Sequence, residues 1–482
     1  MKKEELELKD TINTVLSNFP RYLFLNKEKE NYTLTVIDDL SHLVSKDLYL
    51  NYNNSIVYIK YVLKNTPYIF YIKRIYEKSL SHLVYVLLDE FLNIWRLVSL
   101  ELWSKNQATK KLQSRYDNQT YTFYFEKNNN IIDKFTCMSE FLAFRFIKDE
   151  NINFYNGLSH TVYKPREEKE VTAVYTTDDM DKIIREKIEE FYIPNKTAIL
   201  LSGGMDSAIL ASYLPKGTKA YTFHCIAEGA IDERAQAKKY CDAYGLDQEI
   251  IEMNWSDFEE LTPEILEKNG VPFHSIEVML YKAAKYAKSQ GIERIIIGDA
   301  ADYIFGGMDR ILSKDWTFDE FYNRFNYINP KEVLIDGQSV KDVYEPYRLE
   351  NDKIDFQKMM KDIMDIESDT SYMHAFNNAG IEYLDPYSYM KMGEPLDLNR
   401  VRNGEPKYMI RELFAKRYPN IPIPNKIPMP RATTQWLKDY KVTRPEFIPN
   451  CTENMTGDQK WLCWCLEQFL NMHEPVKGGN NE

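Results

Sequence analysis

The stretch that decides the fold of this 482-residue chain is Ser202-Gly203-Gly204-Met205-Asp206-Ser207, which follows the apolar run at 197–201. Glycines let a backbone approach an anion closely, hydroxyls add donors, and the N–H groups at a helix start carry partial positive charge. We therefore expect a strand, an anion-binding loop and a helix. Asp206 would repel a phosphate, so its presence predicts a bridging Mg²⁺. The alternative is a glycine turn in which Asp206 and Ser207 only cap the helix.

Around this loop, helices and strands alternate from residue 172 onward. The periodicity predicts strands at 197–201, 220–224, 248–253 and 294–297, and helices at 179–191, 206–213, 232–244 and 275–289. Beyond residue 352 the pattern is mostly helical, including 406–417 and 457–470. Strands alternating with helices at this spacing predict an α/β fold with a doubly wound parallel sheet and a helical extension.

The first 170 residues have a different pattern. Segments 55–63, 68–75 and 119–126 are typical of strands, with a predicted helix at 83–102 between them. The charged run at 164–170 is typical of a linker. We therefore expect a β-rich N-terminal domain at 1–170, an α/β domain at 171–475 and a polar tail at 476–482.

Composition and charge exclude several classes of protein. Lys plus Arg is 61 and Asp plus Glu is 73, a net charge of −12, which argues against binding along a nucleic-acid backbone. The N-terminus has no apolar run, and the most apolar stretch, 82–103, is interrupted by charged residues. We expect a cytoplasmic protein with no membrane and no nucleic-acid partner. The oligomeric state is left open, with a homodimer among the expectations.

The loop resembles the SGGxDS loop of the ATP-pyrophosphatase superfamily, whose members cleave ATP to AMP and pyrophosphate. Residues 298–307 (GDAADYIFGG) resemble the SGEGSDE-FGG segment of the asparagine synthetase synthase domain. Further similarities follow along the chain, at 232–237, at 380–386, at 407–411 (KYMIR, similar to KxxLR) and at 424–426, where the family has Arg-Pro-Lys. The resemblance covers about 175–440 and implies the ATP-pyrophosphatase fold.

The resemblance implies ATP and Mg²⁺ as cofactors. It places Asp206 and Asp302 at the metal, Lys426 at the charge that develops on the transferring phosphorus, and Asp299 and Glu382 in the chemistry on the acceptor side. The nucleotide would be bound by Leu201, Ser202, Gly203, Gly204, Asp206, Ser207, Ile297 and Gly298. The alternatives are a helix N-cap for Asp302, a solvated surface lysine for Lys426 and a paired structural carboxylate for Glu382.

The sequence also departs from the family pattern. Glutamine-dependent asparagine synthetases carry a cysteine directly after the initiator methionine, whereas Lys2 follows Met1 here and the first cysteine is Cys137. We therefore expect no glutaminase of that kind. Residues 139–160 (SEFLAFRFIKDENINFYNGLSH) resemble the end of that family's N-terminal domain. This resemblance implies that the first 165 residues are a degenerate Ntn-hydrolase-like domain without catalysis, as in β-lactam synthetases, carbapenam synthetases and lasso-peptide cyclases. In addition, 383–385 (YLD) replaces the family's Ala-Arg-Val.

These residues together predict an AMP- and pyrophosphate-forming amide ligase. A substrate carboxylate would be adenylated and transferred to an amine, either free ammonia or an amine of the substrate itself. Arg431 is a candidate clamp for the carboxylate. Two alternatives stay open: adenylation followed by sulfur transfer or nucleobase modification, and a non-catalytic scaffold that has kept the fold.

Overall fold

The computed structural model describes residues 131–425, 429 and 431–475, together with the backbone of seven strands between residues 21 and 127. The chain divides into two compact units, 1–133 with 151–156 and 134–150 with 157–482. The expected boundary near residue 170 lies inside the second unit. The predicted helix at 83–102 and the polar tail from 476 lie outside the described residues.

The first unit contains an antiparallel seven-stranded sheet with the order β1-β2-β3-β4-β5-β7-β6. Two short strands, β8 (Ile131–Ile132) and β9 (Ile152–Asn153), pair in parallel. The strands expected at 55–63, 68–75 and 119–126 correspond to three of the seven. Their bounds are β1 (Arg21–Glu28), β2 (Asn31–Asp38), β3 (Leu43–Asn51), β4 (Ile56–Leu63), β5 (Tyr68–Ile75), β6 (Thr109–Tyr116) and β7 (Gln119–Lys127).

The second unit is built on a five-stranded parallel sheet with the order β13-β12-β11-β14-β15. The central strand is buried at all four residues, as expected for a strand covered by helices on both faces. A separate parallel pair joins β10 (Thr172–Val174) to β16 (Met390–Met392). The predicted parallel α/β sheet is confirmed. Its strands are β11 (Thr197–Leu200), β12 (Lys219–Cys225), β13 (Asp247–Met253), β14 (Arg294–Ile296) and β15 (Glu382–Leu384).

Helices connect these strands and form the extension. The predicted helices that the structure describes are present with ends shifted by at most a few residues. No helix among the described residues is long and apolar enough to cross a membrane. The helices are α1 (Lys134–Phe144), α2 (Thr177–Phe191), α3 (Met205–Ala211), α4 (Arg234–Tyr244), α5 (Trp255–Asn269), α6 (Ile276–Ser289), α7 (Ala301–Ile304), α8 (Asp309–Leu312), α9 (Phe318–Phe325), α10 (Pro330–Val333), α11 (Lys341–Tyr344), α12 (Phe356–Met359), α13 (Ile366–Ala379), α14 (Leu398–Arg402), α15 (Tyr408–Arg417), α16 (Thr433–Trp436) and α17 (Gly457–His473).

The strand order reverses once, and this distributes the helices over two faces. From β11 the chain moves outward to β12 and β13, then returns to β14 on the other side of β11. Because parallel crossovers are right-handed, α3 and α4 cover one face while α5 and α6 cover the other. Accordingly, α2, α3, α4 and α15 contribute to one apolar core, whereas α6 packs against α5 and α13.

Helix α1 joins the second unit through a buried charge. Arg145, directly after the helix, has a left-handed backbone with φ 69°, a conformation that is unfavourable for a residue with a Cβ. Its guanidinium pairs with Glu367, lies 3.3 Å from His274 Nε2 and stacks over the Tyr327 ring at 3.9 Å from the centroid. This network explains why residues 134–150 group with the second unit.

Candidate functional site

A cavity of about 220 Å³ opens at the carboxyl edge of the parallel sheet, where β11 and β14 end side by side. This is the point at which the strand order reverses, and doubly wound sheets bind their ligands there. One part of the wall is apolar, with Leu200, Leu201, Phe223, Leu280, Ile297 and Met429. The other part is polar, with Ser202, Asp206, Ser207, Glu233, Asp299, Asp302, Tyr372, Lys407, Arg411 and Asn425.

The loop at 202–207 is closed by its own serines. Ser207 Oγ accepts a hydrogen bond from the Ser202 N–H at 3.1 Å and lies 2.9 Å from Ser202 Oγ. Ser202 Oγ in turn accepts from the Gly204 N–H at 3.1 Å. Helix α3 begins directly after Gly204, so the predicted strand–loop–helix arrangement is confirmed. Both serine hydroxyls are held at the cavity wall.

Helix α4 and the residue before it hold the Gly203 peptide from two sides. Tyr240 OH donates to the Gly203 carbonyl at 3.0 Å and accepts from Gln236 Nε2 at 2.7 Å. The Gly203 N–H donates to the buried Glu233 carboxylate. A Cβ at Gly203 would lie 3.3 Å from Glu233 Oε1. Gly203 therefore faces α4, and Glu233 occupies its place in the cavity wall.

Two aspartates converge on one buried lysine. Lys407 Nζ lies 2.5 Å from Asp206 Oδ2 and 3.0 Å from Asp302 Oδ1. Burial acts to lower the pKa of Lys407, but the two carboxylates outweigh it and the pKa is raised. The lysine is therefore charged although only 5% of it is exposed. Its left-handed backbone, with φ 54°, is a strained conformation for a lysine.

Gly307 makes room for this ion-pair cluster. Its N–H donates to the Asp302 carbonyl at 2.8 Å. A Cβ at this position would overlap Asp302 Oδ1 and Lys407 Cε and would lie 2.9 Å from Asp302 Cα. Only a residue without a side chain allows the backbone to pass so close to the charged groups.

The two carboxylates fit a Mg²⁺ ion. They already face a common positive charge, the Lys407 ammonium, and carboxylate oxygens are ligands that Mg²⁺ prefers. Among the described residues no group of three or more His, Cys, Asp or Glu side chains could hold a metal. A cation bound by Asp206 and Asp302 would thus take its other ligands from water and substrate phosphates, as Mg²⁺ usually does.

Asp299 lies in the cavity wall with a network of buried carboxylates behind it. Its Oδ2 accepts from Ser368 Oγ at 2.6 Å, and it is also hydrogen-bonded to Tyr372. Burial raises the pKa of Asp299 well above its usual range, and the carboxylates of Asp385 and Asp365 add to the effect. Burial likewise raises the pKa of Asp385 to about 6 and that of Asp365 to about 7. Burial therefore favours the protonated form of Asp299.

Comparison with known proteins relates residues 195–380, which contain the loop at 202–207, to one family. Residues 195–380 match the asparagine synthase family model. An amidase of Gibberella zeae named chry2 is 24% identical over 264 residues, which cover 43% of this chain and 39% of the relative. The chain thus spans about two fifths of that relative's length. The parallel α/β fold of the matched residues fits the ATP-pyrophosphatase type.

The structure gathers most of the predicted site residues of this asparagine synthase-like region into the cavity. All the expected nucleotide-binding residues line it except Gly203, which is turned towards α4. The expected metal-binding residues Asp206 and Asp302 and the expected catalytic residue Asp299 also line it. Asp302 lies in the first turn of α7, where the expected alternative was a helix N-cap, but its carboxylate pairs with Lys407.

The predicted role of Glu382 is not supported by its position. Glu382 is the first residue of β15, at the amino-terminal end of the parallel sheet and thus opposite the cavity. Its side chain is 67% exposed and pairs with Arg294 Nε at 3.0 Å. A similarity in sequence at 380–382 located the strand correctly, but the carboxylate that contacts the segment carrying Asp299 is that of Asp385, directly after β15. Glu382 is a surface ion-pair residue, which was the alternative interpretation.

Two further predicted residues have different outcomes. Lys426 lies outside the described residues, although its neighbours Asn425 and Pro424 line the cavity. Arg431, the candidate carboxylate clamp, pairs with Asp458 at 2.9 and 3.2 Å. The Asp458 carboxylate therefore accepts from the Nε and Nη2 donors of the guanidinium.

Sequence reasoning missed Lys407, Glu233, Tyr372 and Asp385 as functional candidates. Lys407 stood in a recognised segment, 407–411, but had no role, because nothing in the sequence shows that it meets two aspartates distant along the chain. Glu233 belonged to the segment at 232–237, which predicts the start of a helix and gives no indication of a role for this carboxylate. Tyr372 had no sequence signal. Asp385 stood in the departure at 383–385, but its relevance depends on the backbone groups that it contacts.

The buried Glu233 predicts a measurable pH dependence. Burial raises the pKa of Glu233 from 4.5 to about 7. The folded protein therefore favours the protonated carboxyl, and the free energy of unfolding decreases as the pH rises from 4.5 through 7. Glu233→Gln keeps an acceptor for the Gly203 N–H and removes the charge. We expect this variant to be about 2–3 kcal/mol more stable than wild type at pH 8 and equally stable below pH 4.5. Urea unfolding between pH 4 and 8 measures the difference.

Glu259→Gln is the control, because Glu259 is exposed. Its free energy of unfolding should equal that of wild type at every pH. A constant offset between Glu233→Gln and wild type across the range would contradict the prediction.

Proposed function

We propose that this chain is an ATP-dependent amide ligase that forms AMP and pyrophosphate and does not use glutamine. It would adenylate a substrate carboxylate and transfer the acyl group to an amine, either ammonia or an amine of the substrate. The observation that carries this proposal is the convergence of Asp206 and Asp302 on one cation beside the loop 202–207. The match to the asparagine synthase family supports a carbon–nitrogen ligase in general.

The cavity offers separate places for the parts of ATP. The apolar wall, with Leu201, Ile297 and Gly298, suits the adenine and ribose. The hydroxyls of Ser202 and Ser207 suit phosphate oxygens. Mg²⁺ held by Asp206 and Asp302 would neutralise the phosphates and make pyrophosphate a better leaving group.

Lys407 would change partners when the nucleotide binds. A divalent cation on Asp206 and Asp302 competes with the lysine for the same carboxylate oxygens. The ammonium is then available to phosphate oxygens without leaving the buried cluster, and a buried cation stabilises the negative charge of the departing pyrophosphate. In the absence of ATP, the same ammonium keeps the two carboxylates from repelling each other.

The reaction proceeds in two steps. In the first, a carboxylate oxygen of the substrate bonds to the α-phosphorus while the bond from that phosphorus to the leaving pyrophosphate breaks. In the second, the amine nitrogen bonds to the acyl carbon, the bond to AMP breaks, and the nitrogen loses one proton. Asp299 is proposed to accept that proton, because it lines the cavity.

Lys426 is proposed to stabilise charge on the transferring phosphorus. The residues before it, Pro424 and Asn425, line the cavity, and Met429 three residues later lines it as well. The chain around Lys426 thus approaches the site from both directions.

The proposed independence from glutamine is supported by the burial of Cys137. Cys137 is fully buried in helix α1. A thiol buried in a helix is inaccessible to a substrate, which supports the proposal that Cys137 is not a glutaminase nucleophile. The first unit is proposed to be an Ntn-hydrolase-like domain without glutaminase activity.

Amide hydrolysis is the second candidate function, since the Gibberella zeae relative is named an amidase. It is disfavoured because the described residues that line the cavity include neither histidine nor cysteine, and the two serines there hydrogen-bond to each other. A serine without a base is a poor nucleophile. Sulfur transfer or nucleobase modification after adenylation has no support in the cavity beyond the shared first step.

A pyrophosphate-release assay tests the proposed function. Candidate acids are screened with ATP and Mg²⁺, with and without ammonia. We expect release that depends on the correct acid, and a loss of about 100- to 1000-fold in both Asp206→Ala and Lys426→Ala. Lys416→Ala is the matched control, because Lys416 is a surface lysine that pairs with Asp178.

The proposal is wrong if both variants turn over ATP normally. Release of a free acid from an amide without ATP would favour the amidase instead.

A further inference from the structure

Asp385 is a buried carboxylate that lies between the two loops carrying Asp206 and Asp302. It directly follows β15 at the carboxyl edge of the sheet and is only 4% exposed. It stands within 383–385, where the sequence departs from the family pattern and the family has valine at the third position. A carboxylate at this depth is costly unless it is hydrogen-bonded, so its partners indicate what it does.

Both oxygens of Asp385 accept backbone hydrogen bonds. Oδ2 accepts from the N–H groups of Asp299 and Ala300, each at 2.8 Å. Oδ1 accepts from the N–H of Tyr387 at 2.9 Å. The first oxygen therefore holds the turn that leads to Asp302, and the second holds the segment 386–389. Neither oxygen can be replaced by a hydrogen-bond donor, because each accepts from a backbone N–H group.

Tyr387 extends this link to the other loop. Its hydroxyl donates to the Asp206 carbonyl at 3.0 Å, and the residue is fully buried. The ring lies against the backbone at Gly298, two residues after the end of β14, since a Cβ at Gly298 would be 3.3 Å from Tyr387 Cε2. The ring therefore has little room to move, and the position of its hydroxyl is set by the backbone that Asp385 holds.

We propose that Asp385 is a positioning residue that sets the separation of Asp206 and Asp302 and thereby the affinity of the site for Mg²⁺·ATP. The connection is a series of hydrogen bonds. The Asp385 carboxylate joins the N–H of Ala300 to the N–H of Tyr387, and the Tyr387 hydroxyl donates to the Asp206 carbonyl. This inference rests on the proposed function, because it assumes that the two aspartates bind the metal-nucleotide complex. It adds a residue that the family resemblance does not assign.

The alternative is that Asp385 only stabilises the turn after β15. In that case its loss would lower the stability of the fold without changing the affinity of the site. The two roles are separable by measuring binding and stability on the same variants.

The test uses Asp385→Asn and Tyr387→Phe. The amide supplies one acceptor and one donor where two acceptors are needed, so one loop is released. The phenylalanine keeps the ring and removes only the bond to the Asp206 carbonyl. By calorimetry with Mg²⁺·ATP, we expect Kd to rise about tenfold in Asp385→Asn and about threefold in Tyr387→Phe. In the pyrophosphate assay, KM for Mg²⁺·ATP should rise more than kcat falls.

Glu467→Gln is the matched control. Glu467 is also buried, and its Oε1 accepts from the N–H groups of Thr443 and Arg444 at 2.6 and 2.9 Å, away from the cavity. It should lower the melting temperature and leave Kd unchanged. Because Asp385 and Tyr387 act in series, the double variant should bind about as weakly as Asp385→Asn alone.

Wild-type Kd in both Asp385→Asn and Tyr387→Phe would overturn the inference while leaving the proposed function intact. If Asp385→Asn does not fold, Tyr387→Phe alone decides between the outcomes. A wild-type protein that does not bind Mg²⁺·ATP would overturn the proposed function and this inference together.

Discussion

Gly307→Ala is expected to remove nearly all ATP-dependent activity, by about 100-fold or more. The added methyl group would overlap Asp302 Oδ1 and Lys407 Cε, so the carboxylate and the lysine must both move. Well-packed regions accommodate an extra methyl group only by shifting side chains or backbone, and here the groups that shift are those that would bind the metal and phosphates. Pyrophosphate release and calorimetry with Mg²⁺·ATP measure the two effects.

Gly337→Ala separates this effect from general overpacking. A Cβ at Gly337 would overlap the Pro330 backbone, which does not line the cavity. We expect this variant to lose stability and keep the Mg²⁺·ATP affinity of wild type. Wild-type turnover by Gly307→Ala would show that the Asp302–Lys407 contact does not matter for the reaction.

Lys407→Met is expected to destabilise the protein by about 3–5 kcal/mol in the absence of Mg²⁺. Removing one member of a buried ion-pair cluster leaves the other charges uncompensated, and here two carboxylates would face each other without a cation. Mg²⁺ should restore part of the lost stability in the variant and have a smaller effect on wild type, where the ammonium is already present. Unfolding by urea with and without Mg²⁺ measures both expectations.

Two variants control this experiment. Lys416→Met removes a lysine from an exposed pair with Asp178 and should cost less than about 1 kcal/mol. Adding Asp302→Asn to Lys407→Met should recover stability, because only one carboxylate then remains. If Lys407→Met were as stable as wild type, the three groups would not form the cluster that the distances indicate.

The local chemistry of the site was predictable from short stretches of sequence. The apolar run at 197–201, the glycines after it and the small residues that follow predict a strand, a loop and a helix, and β11, the loop and α3 have that order. Asp206 was predicted at the site from its place in the loop at 202–207, and Asp302 from the carboxyl end of a predicted parallel strand. Asp299 was predicted there by the family resemblance.

Helix α5 shows the limit of local reasoning about elements. It contains Pro263, which removes a hydrogen bond from a helix interior and argues against a helix at that place. The helix nevertheless runs from Trp255 to Asn269, because Phe258, Ile265 and Leu266 are buried by neighbouring elements. Tertiary packing outweighs the local penalty of the proline.

Glu382 shows the limit of reasoning from similarity. The stretch at 380–386 placed a strand correctly, but which carboxylate contacts the segment 299–300 depends on the register of β15 with β14, where Arg294 pairs with Glu382. A strand of three residues is about 10 Å long, which separates an exposed ion pair at one end from the buried Asp385 at the other.

By itself, the amino-acid sequence determined the alternation of strands and helices, the loop at 202–207 and the candidate carboxylates, since each depends on residues close together in the chain. Only the tertiary structure decided which charges meet. Lys407 lies 201 residues from Asp206, and Asp385 lies 86 residues from Asp299, yet each pair is in hydrogen-bond contact. The physical reason is that the charge state and the role of a buried group depend on the groups in contact with it. Those groups are brought together by the packing of the whole sheet and its helices.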